Sequence, residues 1–397
     1  MDFLAKKTAI PESPTIQLLD RVRELKRTGQ EIISLSAGEP DFVTPQHIRE
    51  YAKNALDEGY TFYSESAGLF ELRTAIADKL QRENGIQADP SKAIVVTVGG
   101  KEAIYAAMMA TIDPGDEVIV PDPCWVTYVP CILLAGGKPV YLPTDAPHGF
   151  GQLEDAITSR TKMLIINTPN NPTGAVIHRE ELETVADLAM RRKFLVLSDE
   201  LYEKIVFDSN KHVSIGSLPG MEEFTITVNG FSKAYAMTGW RLGYLVATPR
   251  IAERVVAIHG HLVTNACTFA QKAVALAMRD EFTEKSVEEM VAEYSKRRDL
   301  VMAELQKIPG IRCARPQGTF YAFPDVSQYG LSSADFALRM LNEAKVAVVA
   351  GDSFGRRGEG HIRLSFATSR DNIAAAFNSM RQATTSMPMS ESGTDKG

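Results

Sequence analysis

The segment at 229–244, NGFSKAYAMTGWRLGY, gathers residue types that covalent chemistry on a carbonyl group needs. Lys233 supplies an amine, and an amine that burial keeps partly neutral forms an imine with a carbonyl and afterwards carries protons. Ser232 and Arg241 offer, from the same loop, hydroxyl and guanidinium donors for a phosphate. Because most lysines are solvated surface residues, this interpretation depends on the motifs that accompany the loop.

An acidic residue follows the apolar strand pattern FLVLS at 194–198. Asp199 stands where open α/β sheets hold ligand-contacting groups. A carboxylate there suits the protonated nitrogen of an aromatic ring, which makes that ring an electron acceptor. Tyr202, three residues later, offers a phenol to a ring oxygen. Taken alone, Asp199 equally suits the N-cap of a helix in DELYE.

Three weaker motifs add further candidates. Asn171 lies in NNPTG (170–174), which is by itself an ordinary turn, and here offers an amide to a ring oxygen and to a substrate carboxylate. VGGKEA (98–103) joins a strand to a helix, an arrangement whose free N–H groups bind phosphate, and it contains Gly100 and Lys101. Trp125 suits ring stacking as well as it suits a core position.

The sequence between residues 70 and 250 alternates short β-branched runs with helical patterns, each bounded by Gly, Pro, Asp or Asn. This alternation is typical of an α/β sheet, and most runs are apolar on both faces, as buried strands are. Helical spacing predicts covering helices at 102–112 and 180–192. The strand candidates are 93–98, 117–121, 138–141, 163–167, 194–198, 224–228 and 242–246.

A different pattern begins near residue 285. It predicts a long charged helix over 287–306 with Ser286 as its N-cap, followed by short strands near Arg312 and at 319–323, 346–349 and 361–365. The N-terminal residues contain a helix pattern at 15–27. The predicted domains are a large one at 46–285, a small one formed by 1–45 and 286–385, and a disordered tail at 386–397.

The composition is that of an ordinary globular enzyme: 397 residues, 44% hydrophobic and 23% charged. A net charge of -7 without a basic block argues against nucleic acid or an anionic membrane as a partner. Four cysteines without a C-x-x-C predict reduced thiols and no metal site. Since no signal peptide or membrane span is evident, we expect a cytoplasmic location.

The motifs occur in an order that resembles class I aminotransferases of the fold type I pyridoxal 5'-phosphate (PLP) family, particularly bacterial aspartate aminotransferases. That resemblance covers nearly the whole chain. It implies a three-layer α/β fold, with a large domain around a mostly parallel sheet and a smaller α+β domain. The motifs are SAGEPDF (36–42), FYSESAG (62–68), VGGK, NTPNNPTG, SDELYE, FSKAYAMTGWRLGY and HIRLSFA (361–367).

The resemblance implies a role for each candidate around the cofactor. Lys233 would hold PLP as a Schiff base and act as general base and acid. Asp199 would pair with the ring nitrogen, Tyr202 and Asn171 would contact the ring oxygen, and Trp125 would stack on the ring. The phosphate would be surrounded by Gly100, Lys101, Ser232 and Arg241, joined by Tyr63 from the second subunit of a homodimer with shared active sites.

The same resemblance implies a substrate site. Arg363, which alone would be read as a surface arginine, would bind the α-carboxylate bidentately. Lys101 and Thr15 would hold the distal carboxylate of a dicarboxylic substrate. The other substrate contacts would come from Gly38, Trp125 and Asn171.

The implied reaction is a ping-pong exchange of an amino group between an L-amino acid and a 2-oxo acid, for which aspartate and 2-oxoglutarate are expected. Pro14, GFSK and the segment 261–271 depart from the aspartate enzymes. An aminotransferase for aromatic, prephenate-type or other amino acids, or a PLP-dependent lyase or synthase, therefore stays open. A nicotinamide oxidoreductase is disfavoured because no G-x-G-x-x-G joins a strand to a helix.

Overall fold

The structure, a computed structural model, describes residues 4–5, 8–144 and 149–388. Its strands are β1 (Ile33–Ser34), β2 (Ile94–Thr97), β3 (Glu117–Asp122), β4 (Lys138–Pro143), β5 (Thr161–Asn167), β6 (Leu195–Asp199), β7 (Thr225–Gly230), β8 (Gly243–Val246), β9 (Tyr321–Ala322), β10 (Val346–Ala347), β11 (Val349–Ala350) and β12 (Ile362–Ser365).

The α-helices of the described residues are α1 (Pro14–Arg27), α2 (Gln46–Asp57), α3 (Phe70–Lys79), α4 (Gly100–Thr111), α5 (Tyr128–Leu134), α6 (Leu153–Ala156), α7 (Arg179–Arg192), α8 (Pro249–Val263), α9 (Thr268–Ala277), α10 (Glu281–Leu305), α11 (Ser333–Arg339) and α12 (Arg370–Thr385). None of them is both long and apolar enough to cross a membrane.

The large sheet contains all seven strands that the sequence predicts between residues 93 and 246. Their order is β2-β8-β7-β6-β5-β3-β4, and only β8 runs antiparallel to its neighbours. The predicted mostly parallel α/β fold is therefore confirmed. Because parallel strands end at the same edge, β5, β6 and β7 deliver Asn167, Asp199 and Gly230 close together.

Helices cover both faces of this sheet, and β5 shows why. Met163 and Ile165 pack into the core beneath α4, α5 and α8, whereas Leu164 and Ile166 pack beneath α7. Since successive side chains of a strand point to opposite faces, an all-apolar run fills two cores at once. The result is three layers, with the loops at the strand ends left free to form a site.

A smaller lobe packs against the carboxyl ends of the large sheet. It contains the sheet β11-β12-β9, the pair β1-β10, and a core shared by α10, α12 and Phe320. The N-terminal helix α1 joins this lobe through Val22, which packs with Leu341 and Ala347. The predicted domain division stays a prediction. Residues 389–397 of the predicted tail lie outside the described residues, and Met387 is buried in the lobe's core.

Two local predictions about this lobe were wrong. The long helix begins at Glu281, because Asp280 caps it by accepting a hydrogen bond from the Phe282 N–H at 2.9 Å. Ser286 lies inside the helix and donates to the Phe282 carbonyl at 2.8 Å instead of capping it. The strand expected near Arg312 is reduced to a single antiparallel bridge with Asp325, which in turn bridges His361.

Candidate active site

A cavity of about 400 Å³ lies where the carboxyl ends of the large sheet meet α1 and the smaller lobe. It brings together all but one of the residues that the sequence predicts for the site. The exception is Tyr63, which is 84% exposed on the surface of the chain. The predicted residues that line the cavity are Thr15, Gly38, Gly100, Lys101, Trp125, Asn171, Asp199, Tyr202, Ser232, Lys233, Arg241 and Arg363.

Lys233 follows β7 and directs its amine into this cavity. Its Nζ donates a hydrogen bond to the Gly38 carbonyl at 2.6 Å and lies 5.8 Å from the centre of the Tyr202 ring. Burial lowers the pKa of Lys233 to about 8, and the nearby Arg363 guanidinium adds to that effect, while Glu39 opposes it. The amine is therefore partly neutral near physiological pH, as a nucleophilic lysine must be.

Asp199 ends β6 and is buried at the floor of the cavity. Its Oδ2 accepts a hydrogen bond from the Tyr128 hydroxyl at 2.6 Å, and its Oδ1 accepts one from the Leu201 N–H at 3.3 Å. Burial raises the pKa of Asp199 to about 6, against the effect of these two hydrogen bonds. The Leu201 contact resembles an N-cap, but a turn follows here and no helix does.

Arg363 is buried, with only 2% of its surface exposed, so it is not a surface arginine. Its Nη1 donates to Asn171 Oδ1 and its Nη2 donates to the Ser36 carbonyl, both at 2.9 Å. The guanidinium also lies 4.3 Å from the centre of the Tyr321 ring. Its Nε has no hydrogen-bond partner among the described residues, so this donor is left for a ligand.

The N-terminus of α4 forms a second polar wall. Helix α4 begins at Gly100, and its first N–H groups have no partner within the helix. Gly99 has φ +78°, and a Cβ there would lie 2.7 Å from Arg241 Nη2, so only glycine leaves room for that guanidinium. Arg241 itself is fixed by a bond from its Nη1 to the Thr238 carbonyl at 2.9 Å, and Ser232 is buried nearby.

Trp125, Lys101 and Thr15 line the cavity from three different elements. The Trp125 ring meets Tyr128 edge-on at 5.5 Å, and Lys101 Nζ lies 5.3 Å from the centre of the Trp125 ring. Thr15 is the second residue of α1, where its hydroxyl lies 3.0 Å from that of Ser13. Pro14 does not displace Thr15 from the cavity, because proline suits the first position of a helix.

Sequence reasoning missed several residues of the cavity. Tyr128, three residues after Trp125 in the same motif, holds Asp199, and the Tyr321 hydroxyl lies 2.9 Å from that of Tyr202. The closeness of Tyr128 to Trp125 in the sequence was the available signal for Tyr128. Tyr321 has no predicted site residue near it in the sequence, and its place in the predicted strand at 319–323 left its role open. Glu39 and Arg23 also line the cavity, but only the packing of α1 and its following loop places them there.

The large sheet, its covering helices and the cavity at its carboxyl edge define the class: fold type I of the PLP-dependent enzymes. The family described as aminotransferase class I and II matches residues 30–380, and the chain belongs to this family. It is a PLP-dependent aminotransferase.

Relatives in this family carry more than one substrate name. The chain is 48% identical over 357 residues to an aspartate aminotransferase of Pyrococcus abyssi, covering 89% of this chain and 92% of that protein. It is also 48% identical over 355 residues to aromatic-amino-acid aminotransferase 2 of Thermococcus litoralis, covering 88% and 91%. The structure of Thermus thermophilus aspartate aminotransferase with maleate superposes with a TM-score of 0.92 at 40% identity, covering 96% and 100%.

The residues in the cavity fit PLP. The chain offers an amine of lowered pKa, a buried carboxylate that accepts bonds from neutral donors, and a helix N-terminus beside Arg241. An aldehyde, a ring nitrogen and a phosphate require these three kinds of group. Among the described residues, the one cluster with metal-ligating side chains, Glu200, Glu203 and His212, does not line this cavity.

Proposed function

We propose that this aminotransferase exchanges the amino group between L-aspartate and 2-oxoglutarate by a ping-pong mechanism. The observation that carries the proposal is that Arg363 and Lys101 line one cavity, besides Lys233, Arg241 and the α1 residue Arg23. A dicarboxylic substrate presents two carboxylates to two such cations. The name of the Pyrococcus abyssi relative supports the same substrate.

Lys233, Asp199 and the α4 N-terminus are proposed to hold the cofactor. Lys233 would bond to its aldehyde, Asp199 would face its ring nitrogen, and the N–H groups at Gly100 and Lys101, with Ser232 and Arg241, would bind its phosphate. Tyr202 and Asn171 would contact the ring oxygen, and Trp125 would stack on the ring. When bound, PLP supplies an electron sink for the substrate Cα.

Proton transfer is proposed for the Lys233 amine. Once substrate has displaced it, the free Nζ would take the proton from the substrate Cα and give it to the cofactor carbon bonded to the same nitrogen. Its pKa of about 8 suits this work, because a group that both accepts and donates protons works best near the ambient pH. The bond from Nζ to the Gly38 carbonyl supports the proposal, since it keeps the amine inside the cavity.

Arg363 is proposed to bind the substrate α-carboxylate. Its buried Nε has no partner within the part of the chain that the structure describes, and its Nη1 already contacts Asn171, so a carboxylate would meet the guanidinium and the amide together. The Gly38 N–H would complete this set. Two parallel bonds from one guanidinium fix the orientation of the carboxylate as well as binding it.

The distal carboxylate is proposed to meet Lys101 and Thr15. The alternative is an aromatic substrate, and two observations favour it: the name of the Thermococcus litoralis relative, and the apolar side chains Ile16 and Leu19 that α1 adds to the cavity wall. The same helix thus offers a hydroxyl and an apolar surface to a substrate side chain.

We also propose a homodimer in which Tyr63 of each subunit completes the phosphate site of the other. The support is that Tyr63 and its neighbour Phe62 are 84% and 80% exposed, which is unusual for adjacent aromatic residues in a free surface loop. A cytoplasmic location stays a prediction, and the four cysteines, all described as free thiols, are compatible with it.

The test is a comparison of substrates with the purified protein in its PLP form. Single additions of aspartate, glutamate and tyrosine should convert the visible absorbance of the bound cofactor, with aspartate at the highest kcat/KM, whereas lysine, whose distal group is a cation, should give no conversion. Lys101→Ala should lower kcat/KM for aspartate by about 10-fold to 100-fold. The kcat/KM for tyrosine should stay within about threefold of that of the unsubstituted protein. Lys162→Ala, at an exposed position of β5, is the matched control.

Each other outcome has a defined meaning. If tyrosine alone converts the cofactor absorbance, the substrate is aromatic and not aspartate, and the assignment as an aminotransferase stands. An equal loss for both substrates in Lys101→Ala would reject a distal-carboxylate role for Lys101. Unchanged absorbance with every amino acid would reject the transamination proposal.

A further inference from the structure

The turn after β6 alternates between two environments. Asp199 and Tyr202 line the cavity, whereas Glu200 and Glu203 point away from it into the protein. Glu200 has no exposed surface, and the Glu203 side chain is 9% exposed. Two buried carboxylates thus lie directly behind two side chains of the cavity wall. Buried charges persist only when partners satisfy them, so these partners must fix the turn.

Glu200 is held by three donors. The hydroxyls of Ser198 and Ser214 donate to its Oε1, each at 2.7 Å. His212 places its Nε2 3.0 Å from the other oxygen, Oε2, and its side chain is 8% exposed. Burial lowers the pKa of His212, but the Glu200 carboxylate raises it further, so the net shift is upward and favours an ion pair.

Glu203 is held by a separate cation. The Lys79 ammonium at the end of α3 contacts its Oε1, and the Asn84 amide donates to its Oε2 at 2.7 Å. Burial alone would raise the pKa of Glu203, but Lys79 and these hydrogen bonds hold it at about 2. Glu203 is therefore charged and compensated near neutral pH.

A metal ion is a poorer interpretation of this cluster. Ligand atoms of Glu200, Glu203 and His212 lie within 4.8 Å of one another, and His212 Nδ1 has no partner among the described residues. A metal would nevertheless have to displace the Lys79 ammonium from Glu203 and the hydroxyl donors from Glu200. Since a fixed cation and neutral donors already satisfy the carboxylates, binding would replace existing contacts and add little.

We propose that Glu200 and His212 are positioning residues, a buried ion pair that fixes Asp199 against the cofactor ring and sets the charge behind it. This rests on the proposed role of Asp199. Glu200 is the neighbour of Asp199 in the chain, and its negative charge adds to the burial that raises the pKa of Asp199. His212 compensates that charge. The other charged groups that face His212 are Glu203 and Lys79, which compensate each other.

The test removes the compensating cation but keeps the Glu200 carboxylate and its two hydroxyl donors, Ser198 and Ser214. In His212→Asn, the uncompensated charge should favour the protonated, cationic form of the cofactor chromophore and raise the pH midpoint of its visible absorbance by about one unit. The double variant Glu200→Gln with His212→Asn removes both charges and should restore the midpoint to within about 0.3 unit. A role in stability alone would lower the melting temperature of both variants and leave both midpoints unchanged.

Glu117→Gln provides the matched control, because Glu117 is also a buried carboxylate of the large sheet but lies at the opposite ends of its strands. It should lower the melting temperature without moving the midpoint. An unshifted midpoint in His212→Asn, or an equal shift in Glu117→Gln, would overturn the inference. Failure of the proposed function is distinguishable, since the bound cofactor of the unsubstituted protein would then keep its visible absorbance when aspartate is added.

Discussion

The two ends of the large sheet each carry a buried carboxylate, and the pKa values of these two groups are shifted in opposite directions. At the amino end, Glu117 accepts a hydrogen bond from Thr158 at 2.6 Å and another from Arg160 at 2.7 Å, with Lys138 at 3.4 Å. These hydrogen bonds, that of Thr158 first, lower the pKa of Glu117 to about 2. At the carboxyl end, burial raises the pKa of Asp199 to about 6.

This difference separates groups that stabilise the fold from groups kept for a ligand. Around Glu117, each polar group is paired with another group of the protein, and folding itself gains from the contact. Around Asp199 the pairing of polar groups is incomplete: Arg363 Nε has no hydrogen-bond partner among the described residues, and burial lowers the pKa of the Lys233 amine. Shifts of this kind cluster where a protein does chemistry.

Substitution of Lys233 is the strongest test of the comparison. Lys233→Ala should lower kcat for transamination at least about 1,000-fold, because it removes the proposed proton carrier at Cα. Some PLP should remain bound through its phosphate, without the visible absorbance of the bond to lysine. Steady-state assays and absorbance spectra measure both effects. Lys138→Ala, at the amino end, should leave kcat unchanged, and undiminished turnover in Lys233→Ala would reject the assignment.

Arg363→Lys tests whether the shape of the cation matters at the carboxyl end. A lysine keeps the charge but cannot donate two parallel bonds, so kcat/KM should fall by about 10-fold to 100-fold. Arg160→Lys makes the same exchange at the amino end, where we expect unchanged kcat/KM and a small loss of stability. The comparison fails if both substitutions affect kcat/KM equally.

The pH dependence of cofactor binding tests the lowered pKa of Lys233. Only the neutral amine attacks the aldehyde, so with a pKa of about 8 the association rate of PLP with the cofactor-free protein should rise as pH increases. The neutral fraction predicts a rise of about fivefold from pH 7 to 8 and of less than about twofold from pH 8 to 9. Stopped-flow absorbance measures this rate. A rise in rate of about tenfold for each pH unit would indicate that the pKa of Lys233 is that of an ordinary lysine.

Glu117→Gln should act on stability and spare activity. We expect the free energy of unfolding at pH 7 to fall by about 1 to 3 kcal/mol, and kcat to stay within about twofold. Because the pKa of Glu117 is depressed in the folded protein, its stabilisation is present above the unfolded value near 4.5 and is lost as pH falls towards 2. Urea unfolding should therefore show a smaller difference in the free energy of unfolding between the unsubstituted protein and Glu117→Gln at pH 3 than at pH 7.

Glu154→Gln is the control for that measurement. Glu154 is an exposed carboxylate that meets Arg192 at 3.0 Å, and an exposed ion pair contributes at most about 1 kcal/mol. If both substitutions lower the free energy of unfolding equally, burial of Glu117 adds nothing to the stabilisation that its contacts provide. A large loss of kcat in Glu117→Gln would remove the distinction between the two ends of the sheet.

The sequence determined the large sheet, because an apolar run such as MLIIN fills two cores and fits few structures other than a buried parallel strand. It also supplied most residues of the cavity, since several of them, such as Gly100, Asn171 and Ser232, follow a strand, and parallel strands end at one edge. It failed at the start of the long helix, where the N-cap is Asp280 and Ser286 lies inside the helix.

Tertiary structure alone decided how these side chains are paired. The residue type of Arg363 is compatible with a surface position or with ligand binding. It is buried only because β12 approaches Asn171. The contacts of Tyr128 with Asp199 and of His212 with Glu200 join residues 71 and 12 positions apart. No periodicity records such pairs, because local patterns fix which face is buried, whereas the partner across a cavity is set by how whole elements pack.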